Sequence, residues 1–181
     1  MNRKLKNEEL DRITIDEFKS ATKTPIIIVL DNIRSLNNIG SVFRTADAFL
    51  IEAVYLCGIT AKPPHREIQK TALGSTETVE WNYFSSTTEA VNKLKSNGFK
   101  MASIEQAENS TMLNEFSFKQ DEKLAIVFGN EVKGVDQEVI NLSDVVIEIP
   151  QYGTKHSLNI SVSAGVVIWE LYQKFNTQNI A

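Results

Sequence analysis

Short apolar runs with high strand propensity alternate along this chain with segments of helical periodicity. The first run, from Ile26 to Leu30, is continuously apolar, which is typical of a strand buried on both faces of a sheet. Further strands are predicted at 53–56, 79–83, 100–104, 124–128 and 145–149, and helices at 40–49, 68–73, 87–96, 136–141 and 159–175. Strands that are separated by helices form a mainly parallel sheet with helices on both faces, so the predicted fold class is α/β.

Composition excludes several classes of protein. With 181 residues, 42% of them hydrophobic, the chain suits one domain with its own core, and no apolar stretch reaches the roughly 18 to 20 residues of a membrane span. Cys57 is the single cysteine, so no internal disulfide can form and a reducing cytoplasm is expected. The scattered histidines and cysteine predict no metal site. A net charge of −4 disfavours nonspecific coating of nucleic acid but allows a local basic patch.

Three segments place chemically useful side chains where predicted strands give way to loops or helices. They comprise residues 38–46, 127–134 and 149–161. Each combines glycine with amide, hydroxyl or charged side chains, among them Arg44 in the first segment and Glu131 in the second. Because open α/β sheets hold their ligands at the carboxyl ends of the strands, the segments predict a ligand site.

Taken together, the three segments resemble the signature motifs of the SpoU/TrmH family, the S-adenosylmethionine-dependent RNA ribose methyltransferases of the SPOUT superfamily. The resemblance covers about residues 24–175 and includes a less specific match at 70–74. It implies an α/β-knot fold, which general rules of chain topology would not suggest. It also implies a charged, helical N-terminal extension at 1–23, a catalytic domain at 24–175 and a C-terminal tail at 176–181.

The resemblance implies that Arg44 assists removal of the proton from a ribose 2′-hydroxyl. A guanidinium is normally always protonated, so binding a substrate phosphate and stabilising the developing alkoxide are physically easier roles. The alternative for Arg44 is a surface side chain paired with Asp31 or Asp47. The other catalytic candidates that the resemblance implies are Asn38, Glu131, Ser157 and Asn159.

Each of these polar residues also has an ordinary structural interpretation. Asn38, Ser157 and Asn159 stand at predicted helix starts, where such residues cap free backbone N–H groups, and Asn37 is an alternative cap. Glu131 is expected to orient the arginine or the substrate, and is otherwise a surface glutamate.

Two binding surfaces are implied as well. S-adenosylmethionine is expected to bind without a metal in a pocket built from Ile104, Glu105, Gly129, Ile149 and Leu158. RNA is expected to contact five basic residues: Arg34, Lys62, His65, Arg66 and Lys70. The alternative for this basic set is ordinary solvated charge.

The function predicted from the resemblance is transfer of a methyl group from S-adenosylmethionine to a ribose 2′-hydroxyl of structured RNA. Segments 30–49 and 157–171 look most like the tRNA guanosine methylating branch, so tRNA is favoured over ribosomal RNA. A catalytically idle RNA-binding protein on the same fold is the alternative from another class. A dinucleotide-binding redox enzyme is disfavoured, because no G-x-G-x-x-G follows the first strand.

A homodimer is also predicted. Apolar residues occupy two stripes of the segment 159–175 and so cover more than half of the circumference of that helix. A helix of this kind must be covered on several sides. Burial inside its own domain is the alternative to a subunit interface.

Overall fold

The computed structural model describes residues 2–178. The strands are β1 (Thr24–Asp31), β2 (Ile51–Cys57), β3 (Glu80–Phe84), β4 (Phe99–Ile104), β5 (Thr111–Met112), β6 (Lys123–Phe128) and β7 (Val145–Glu148). The α-helices are α1 (Ile15–Ser20), α2 (Leu36–Ala48), α3 (Arg66–Ala72), α4 (Ser75–Thr78), α5 (Thr87–Ser96), α6 (Gln137–Leu142) and α7 (Ile160–Gln178). A single 3₁₀ turn at Asn7–Glu9 precedes α1.

The seven strands form one sheet in the order β3-β2-β1-β6-β4-β7-β5. Every neighbouring pair is parallel, which confirms the predicted mainly parallel α/β class. Because all strands run in one direction, their carboxyl ends lie along the same edge of the sheet. The segments that follow β1, β6, β4 and β7 therefore leave that edge side by side.

The residues of β1 alternate between two layers of core. Ile26, Ile28 and Leu30 pack with residues of α2, α3 and α7, whereas Ile27 and Val29 pack with residues of α5 and α6. Successive side chains of a strand point to opposite faces, so a strand that is covered on both faces needs a continuous apolar run. The predicted helices on both faces of the sheet are therefore confirmed.

Helix α2 begins at Leu36 rather than at Gly40, where its periodicity predicts the start. Its cap is Ser35, whose hydroxyl accepts a hydrogen bond from the N–H of Asn38 at 3.3 Å. The interpretation of Asn37 or Asn38 as the cap is therefore wrong. The side chain of Asn38 is left for contacts outside the helix.

Two short elements lie outside the predicted set. Helix α4 follows Leu73 and Gly74, whose φ angles of 50° and 92° turn the chain sharply after α3. Strand β5 lies within 109–122, where the sequence predicts a loop with a turn of helix. It forms through pairing with β7, and the N–H of Leu113 extends the pairing by donating to the carbonyl oxygen of Glu148 at 2.8 Å. Such pairing depends on a distant partner rather than on local propensity.

The two ends of the chain flank this sheet. Residues 2–14 are exposed and lead into α1, whose Phe18 is buried in the core. At the other end, α7 continues to Gln178 and so enters the predicted tail at 176–181, of which 179–181 lie outside the described residues. Among the helices of residues 2–178, none combines the length and the apolar character needed to cross a membrane.

Candidate active site

A cavity of about 710 Å³ opens at the carboxyl ends of β4, β6 and β7, next to the start of α7. The five residues expected to contact the cofactor all line it: Ile104, Glu105, Gly129, Ile149 and Leu158. Three of the predicted catalytic residues, Glu131, Ser157 and Asn159, line it as well. The structure thus brings the second and third motifs to one cavity, whose volume lies in the range of small-molecule sites.

The loop at 129–135 forms one wall of this cavity by folding back on itself. Asn130 and Gly134 exchange backbone hydrogen bonds of 2.9 Å in both directions. A Cβ atom on Gly129 would lie 2.1 Å from the carbonyl carbon of Gly134 and 2.1 Å from the nitrogen of Val135. Glycine is required at position 129 because two backbone segments approach each other there.

Asn130 ties this loop to the turn between β1 and α2. Its amide nitrogen donates to the carbonyl oxygen of Asn32 at 2.6 Å. Its amide oxygen accepts from the N–H groups of Val132 at 2.9 Å and Lys133 at 3.1 Å. The sequence-based prediction assigned no role to Asn130, although its place beside Glu131 in the second motif was a usable signal.

Glu131 binds the turn that precedes α2. Its carboxylate accepts hydrogen bonds from the N–H groups of Arg34 at 3.0 Å and Ser35 at 2.9 Å, and from the amide of Asn38 at 3.2 Å. Burial alone would raise the pKa of this carboxyl, but the hydrogen bonds from Arg34, Ser35 and Asn38 outweigh it and lower the pKa. Glu131 is therefore held as a carboxylate by the turn before α2 and by Asn38 of the first motif.

Asn38 connects the first motif to the third. It is 8% exposed, and while its amide nitrogen donates to Glu131, its amide oxygen accepts from the amide nitrogen of Asn159 at 3.2 Å. Asn159 also caps α7, because its amide oxygen accepts from the N–H of Ser161 at 2.9 Å. Asn159 therefore both caps α7 and contacts a residue of the first motif. We call Glu131, Asn38 and Asn159 the motif network, since they join all three motifs.

Ser157 lies in the cavity wall but does not cap α7, a role that Asn159 takes. Within residues 2–178 its hydroxyl forms no hydrogen bond, so it is available to a ligand.

Arg44 lies outside the motif network. It is exposed on α2 and lines a second, smaller cavity of about 290 Å³ together with Asp47 and Leu73. Within the described residues it forms no hydrogen bond or ion pair, so the alternative pairings are not formed. The carboxylate of Asp47 instead accepts from the hydroxyl of Thr78, and that of Asp31 accepts from three other donors. In a single chain, the structure does not bring Arg44 to the main cavity or to Glu131.

The five basic residues expected to contact RNA are all exposed, and none lines the main cavity. Arg34 precedes α2, and its backbone N–H rather than its guanidinium reaches Glu131. The other four, Lys62, His65, Arg66 and Lys70, lie in and after the loop that follows β2. Lys62 stacks over Tyr83, with its Nζ 4.4 Å from the ring centroid.

The thiol and the possible metal ligands were compared with the requirements of nucleophilic and metal sites in the described part of the chain. Cys57 is buried, and burial raises the pKa of its thiol to about 12, so a nucleophilic thiolate is disfavoured. Among residues 2–178, no three His, Cys, Asp or Glu side chains are grouped as metal ligands would be.

Comparison with known proteins adds to this geometry. Residues 25–169 match the SpoU rRNA Methylase family. The chain is 29% identical over 178 residues to an uncharacterized tRNA/rRNA methyltransferase of Borreliella burgdorferi, with 97% of this chain and 75% of that protein aligned. It spans 58 to 64% of the length of TrmH family relatives from staphylococci, which are 32% identical.

Solved structures share the fold. The A. aeolicus TrmH/SpoU tRNA modifying enzyme superposes with a TM-score of 0.80 at 24% identity, over 92% of this chain and 83% of that one. The AdoMet-bound rRNA methyltransferase from Sinorhizobium meliloti superposes with a TM-score of 0.78 at 23% identity, over 84% and 57%. The α/β-knot class expected from the sequence is confirmed by these likenesses. The cofactor expected from the sequence is the molecule bound in the S. meliloti protein.

Proposed function

Because this chain belongs to the SpoU rRNA methylase family, we propose that it is an RNA methyltransferase that transfers the methyl group of S-adenosylmethionine to a ribose 2′-hydroxyl. One observation carries the proposal. The motif network of Glu131, Asn38 and Asn159 stands beside a cavity lined by all five residues expected to bind the cofactor.

The cavity has the chemistry that S-adenosylmethionine requires. Its walls combine apolar side chains such as Ile149 and Leu158 with the close backbone of Gly129. The carboxylate of Glu131 in the wall complements the positive charge of a sulfonium. When bound, the cofactor supplies an activated methyl group, and the residues of this chain position the acceptor.

The acceptor is a ribose 2′-hydroxyl, which must be aligned behind the methyl group and must lose its proton. Ser157, whose hydroxyl is free within the described residues, is suited to hold the acceptor, and the motif network fixes the loops around it. Arg44 binds the adjacent phosphate and stabilises the developing alkoxide, because its fixed positive charge suits both tasks.

A homodimer supplies Arg44 to the cavity. Val162, Val166 and Trp169 are spaced along one side of α7 and are 51%, 40% and 51% exposed; we call them the apolar face of α7. The ring of Trp169 contacts Phe49 at the end of α2, with centroids 5.7 Å apart. A second copy packed on this face would therefore also bring its α2, which carries Arg44, close to the interface.

The substrate proposed is tRNA. Segments 30–49 and 157–171 look most like the tRNA guanosine methylating branch, and the A. aeolicus neighbour modifies tRNA. Exposed Lys62 and Arg66 offer positive charge for the phosphate backbone. Ribosomal RNA is the second candidate, since the S. meliloti neighbour is an rRNA methyltransferase.

The test is methyl transfer with labelled S-adenosylmethionine to unmodified tRNA and ribosomal RNA transcripts, followed by mapping of ribose methylation. We expect a 2′-O-methyl group in tRNA and none in a transcript whose target ribose is 2′-deoxy. Label on a base would contradict the ribose assignment, and label in ribosomal RNA alone would contradict the choice of tRNA. RNA binding without any transfer would identify an idle RNA-binding protein.

A further inference from the structure

Glu105 is held in the cavity wall by backbone groups on both sides of its carboxylate. It follows the last residue of β4, and its own N–H donates to the carbonyl oxygen of Ile147 at 3.1 Å. Its Oε1 accepts from the N–H of Gln106 at 2.9 Å. Its Oε2 accepts from the N–H of Val135 at 2.9 Å. The carboxylate is therefore fixed between the end of β4 and the loop at 129–135.

Gly134 makes room for this carboxylate. Its φ is +70°, and a Cβ atom there would lie 2.1 Å from Oε2 of Glu105. A side chain at position 134 would therefore be strained in its backbone and would collide with the carboxylate. The last glycine of the second motif thus allows Glu105 to occupy its place in the wall.

The carboxylate of Glu105 keeps hydrogen-bonding capacity that the protein does not use. An ionised carboxylate offers about four lone-pair sites on its two oxygens. The two backbone N–H groups occupy one site on each oxygen, so each oxygen can accept one further hydrogen bond. Two adjacent acceptors of this kind match a ligand that carries two neighbouring hydroxyl groups.

Position in the sheet indicates which part of the cofactor meets Glu105. The motif network binds the loop after β6 to the turn after β1, so the reacting methyl group belongs on that side. Strand β4 lies on the other side of β6 from β1, and Glu105 follows it. The nucleoside end of the cofactor, with its ribose diol, belongs there. In other open α/β sheets an acidic residue after a strand binds ribose hydroxyls in the same way.

We propose that Glu105 binds both ribose hydroxyls of S-adenosylmethionine and so selects the ribonucleoside form of the cofactor. This inference rests on the proposed function, because it places the cofactor in the main cavity. The carboxylate of Glu105 accepts one hydrogen bond from each of the two hydroxyl groups, and the backbone N–H groups of Gln106 and Val135 hold it in position for them.

The test measures binding of S-adenosylhomocysteine and of its 2′-deoxy and 3′-deoxy analogues by calorimetry, without RNA. The wild-type protein should bind each deoxy analogue about 10-fold or more weakly, as expected for loss of a hydrogen bond to a charged group. Glu105→Ala should bind all three ligands with affinities within about threefold of each other. Glu105→Gln keeps the shape of the side chain and one acceptor oxygen, so its loss of affinity for the deoxy analogues should lie between the losses of the wild type and of Glu105→Ala. It serves as the test variant if Glu105→Ala fails to fold.

The ratio of the affinity for S-adenosylhomocysteine to the affinity for each deoxy analogue distinguishes recognition of the hydroxyl groups from a structural role of Glu105. Loosening of the loop at 129–135 would weaken all ligands alike and leave the ratio unchanged, which would overturn the proposal for Glu105. Glu108→Gln is the matched control, since Glu108 is an exposed glutamate of the segment after β4 that does not line the cavity, and it should keep the wild-type ratio. The proposal is also overturned if Glu105→Ala instead loses discrimination against an analogue of S-adenosylhomocysteine that lacks the α-amino group of its amino-acid end. Failure of the folded wild-type protein to bind S-adenosylhomocysteine would overturn the proposed function itself.

Discussion

Single side chains carry distinct tasks at this site. Glu131 and Asn38 use their hydrogen bonds to join motifs, whereas Arg44 forms none within the described residues. A side chain that is satisfied by its own chain stabilises the fold, and one that is left unsatisfied is available to substrate. Substitutions at these two kinds of residue should therefore have different effects.

Arg44→Ala should lower the rate of methyl transfer on the order of 100-fold or more, as removal of a preorganised charge generally does. Arg44→Lys should restore little of this rate, because an ammonium lacks the planar fork of a guanidinium. Cofactor affinity should hardly change, since Arg44 does not line the main cavity. Single-turnover methylation of tRNA transcript and calorimetry with the cofactor measure the two quantities. Near-normal turnover in Arg44→Ala would remove Arg44 from catalysis.

Glu131→Gln should lower stability in a pH-dependent way. The folded state lowers the pKa of Glu131, so its stabilising contribution is present above the ordinary value of 4.5 and is lost as pH falls through the lowered pKa. The Tm of the wild-type protein should therefore exceed that of Glu131→Gln at pH 7, and the gap should close in acid. Thermal melts between pH 7 and pH 3 measure this gap. A gap of constant size would show that the charge of Glu131 does not matter.

The loop at 129–135 is the element on which the cavity depends most. It contacts Glu105, which follows β4, it contacts the turn between β1 and α2 through Asn130 and Glu131, and it closes on itself through the bridge between Asn130 and Gly134. These contacts are polar and short, so a small displacement of the loop breaks several of them at once.

Gly129→Ala tests this dependence. The new methyl group would lie 2.1 Å from backbone atoms that cannot move independently, so we expect lower stability and loss of cofactor binding. Gly153→Ala is the matched control, because a Cβ atom at Gly153 meets nothing within 4 Å. Chemical denaturation and calorimetry with the cofactor measure both properties. Equal behaviour of the two variants would contradict the close approach at Gly129.

At the scale of the whole molecule, the two apolar stripes of α7 differ in burial. Ile160, Ala164, Val167 and Leu171 are buried in the core, whereas the apolar face of α7 is largely exposed. The alternative of burial inside the domain therefore accounts for only one stripe. Exposed apolar patches of this kind are typical of interfaces.

Trp169→Glu should convert a homodimer into a monomer, because it places a charge on the apolar face of α7 at its largest side chain. Light scattering should report about twice the 20.3 kDa chain mass for the wild-type protein and the single chain mass for the variant. Ile59→Glu serves as control, since Ile59 is 66% exposed after β2 and lies outside both this face and the main cavity. A wild-type monomer that methylates RNA would show that the dimer is dispensable.

Local chemistry was enough to predict most of the elements. The apolar run of β1 predicts a buried strand, and the periodic segments of α2 and α5 predict helices. The motif glycines indicate where strands end. The family resemblance, not local chemistry, implied the five expected cofactor contacts, and they line one cavity because the strands of a parallel sheet end at one edge. Strand β5 could not, because two residues carry too little pattern and pair only with a partner that comes much later in the chain.

The contacts between distant residues were decided by the tertiary structure alone. The sequence by itself determined that Asn38, Glu131 and Asn159 stand where strands give way to loops or helices, but their hydrogen bonds span 93 and 121 positions and exist only once the sheet has ordered its strands. The same ordering buried one stripe of α7, left the other exposed and separated Arg44 from the main cavity. Residue type and spacing specify which groups can interact along a strand or helix, whereas the packing of one element on another specifies which of them meet.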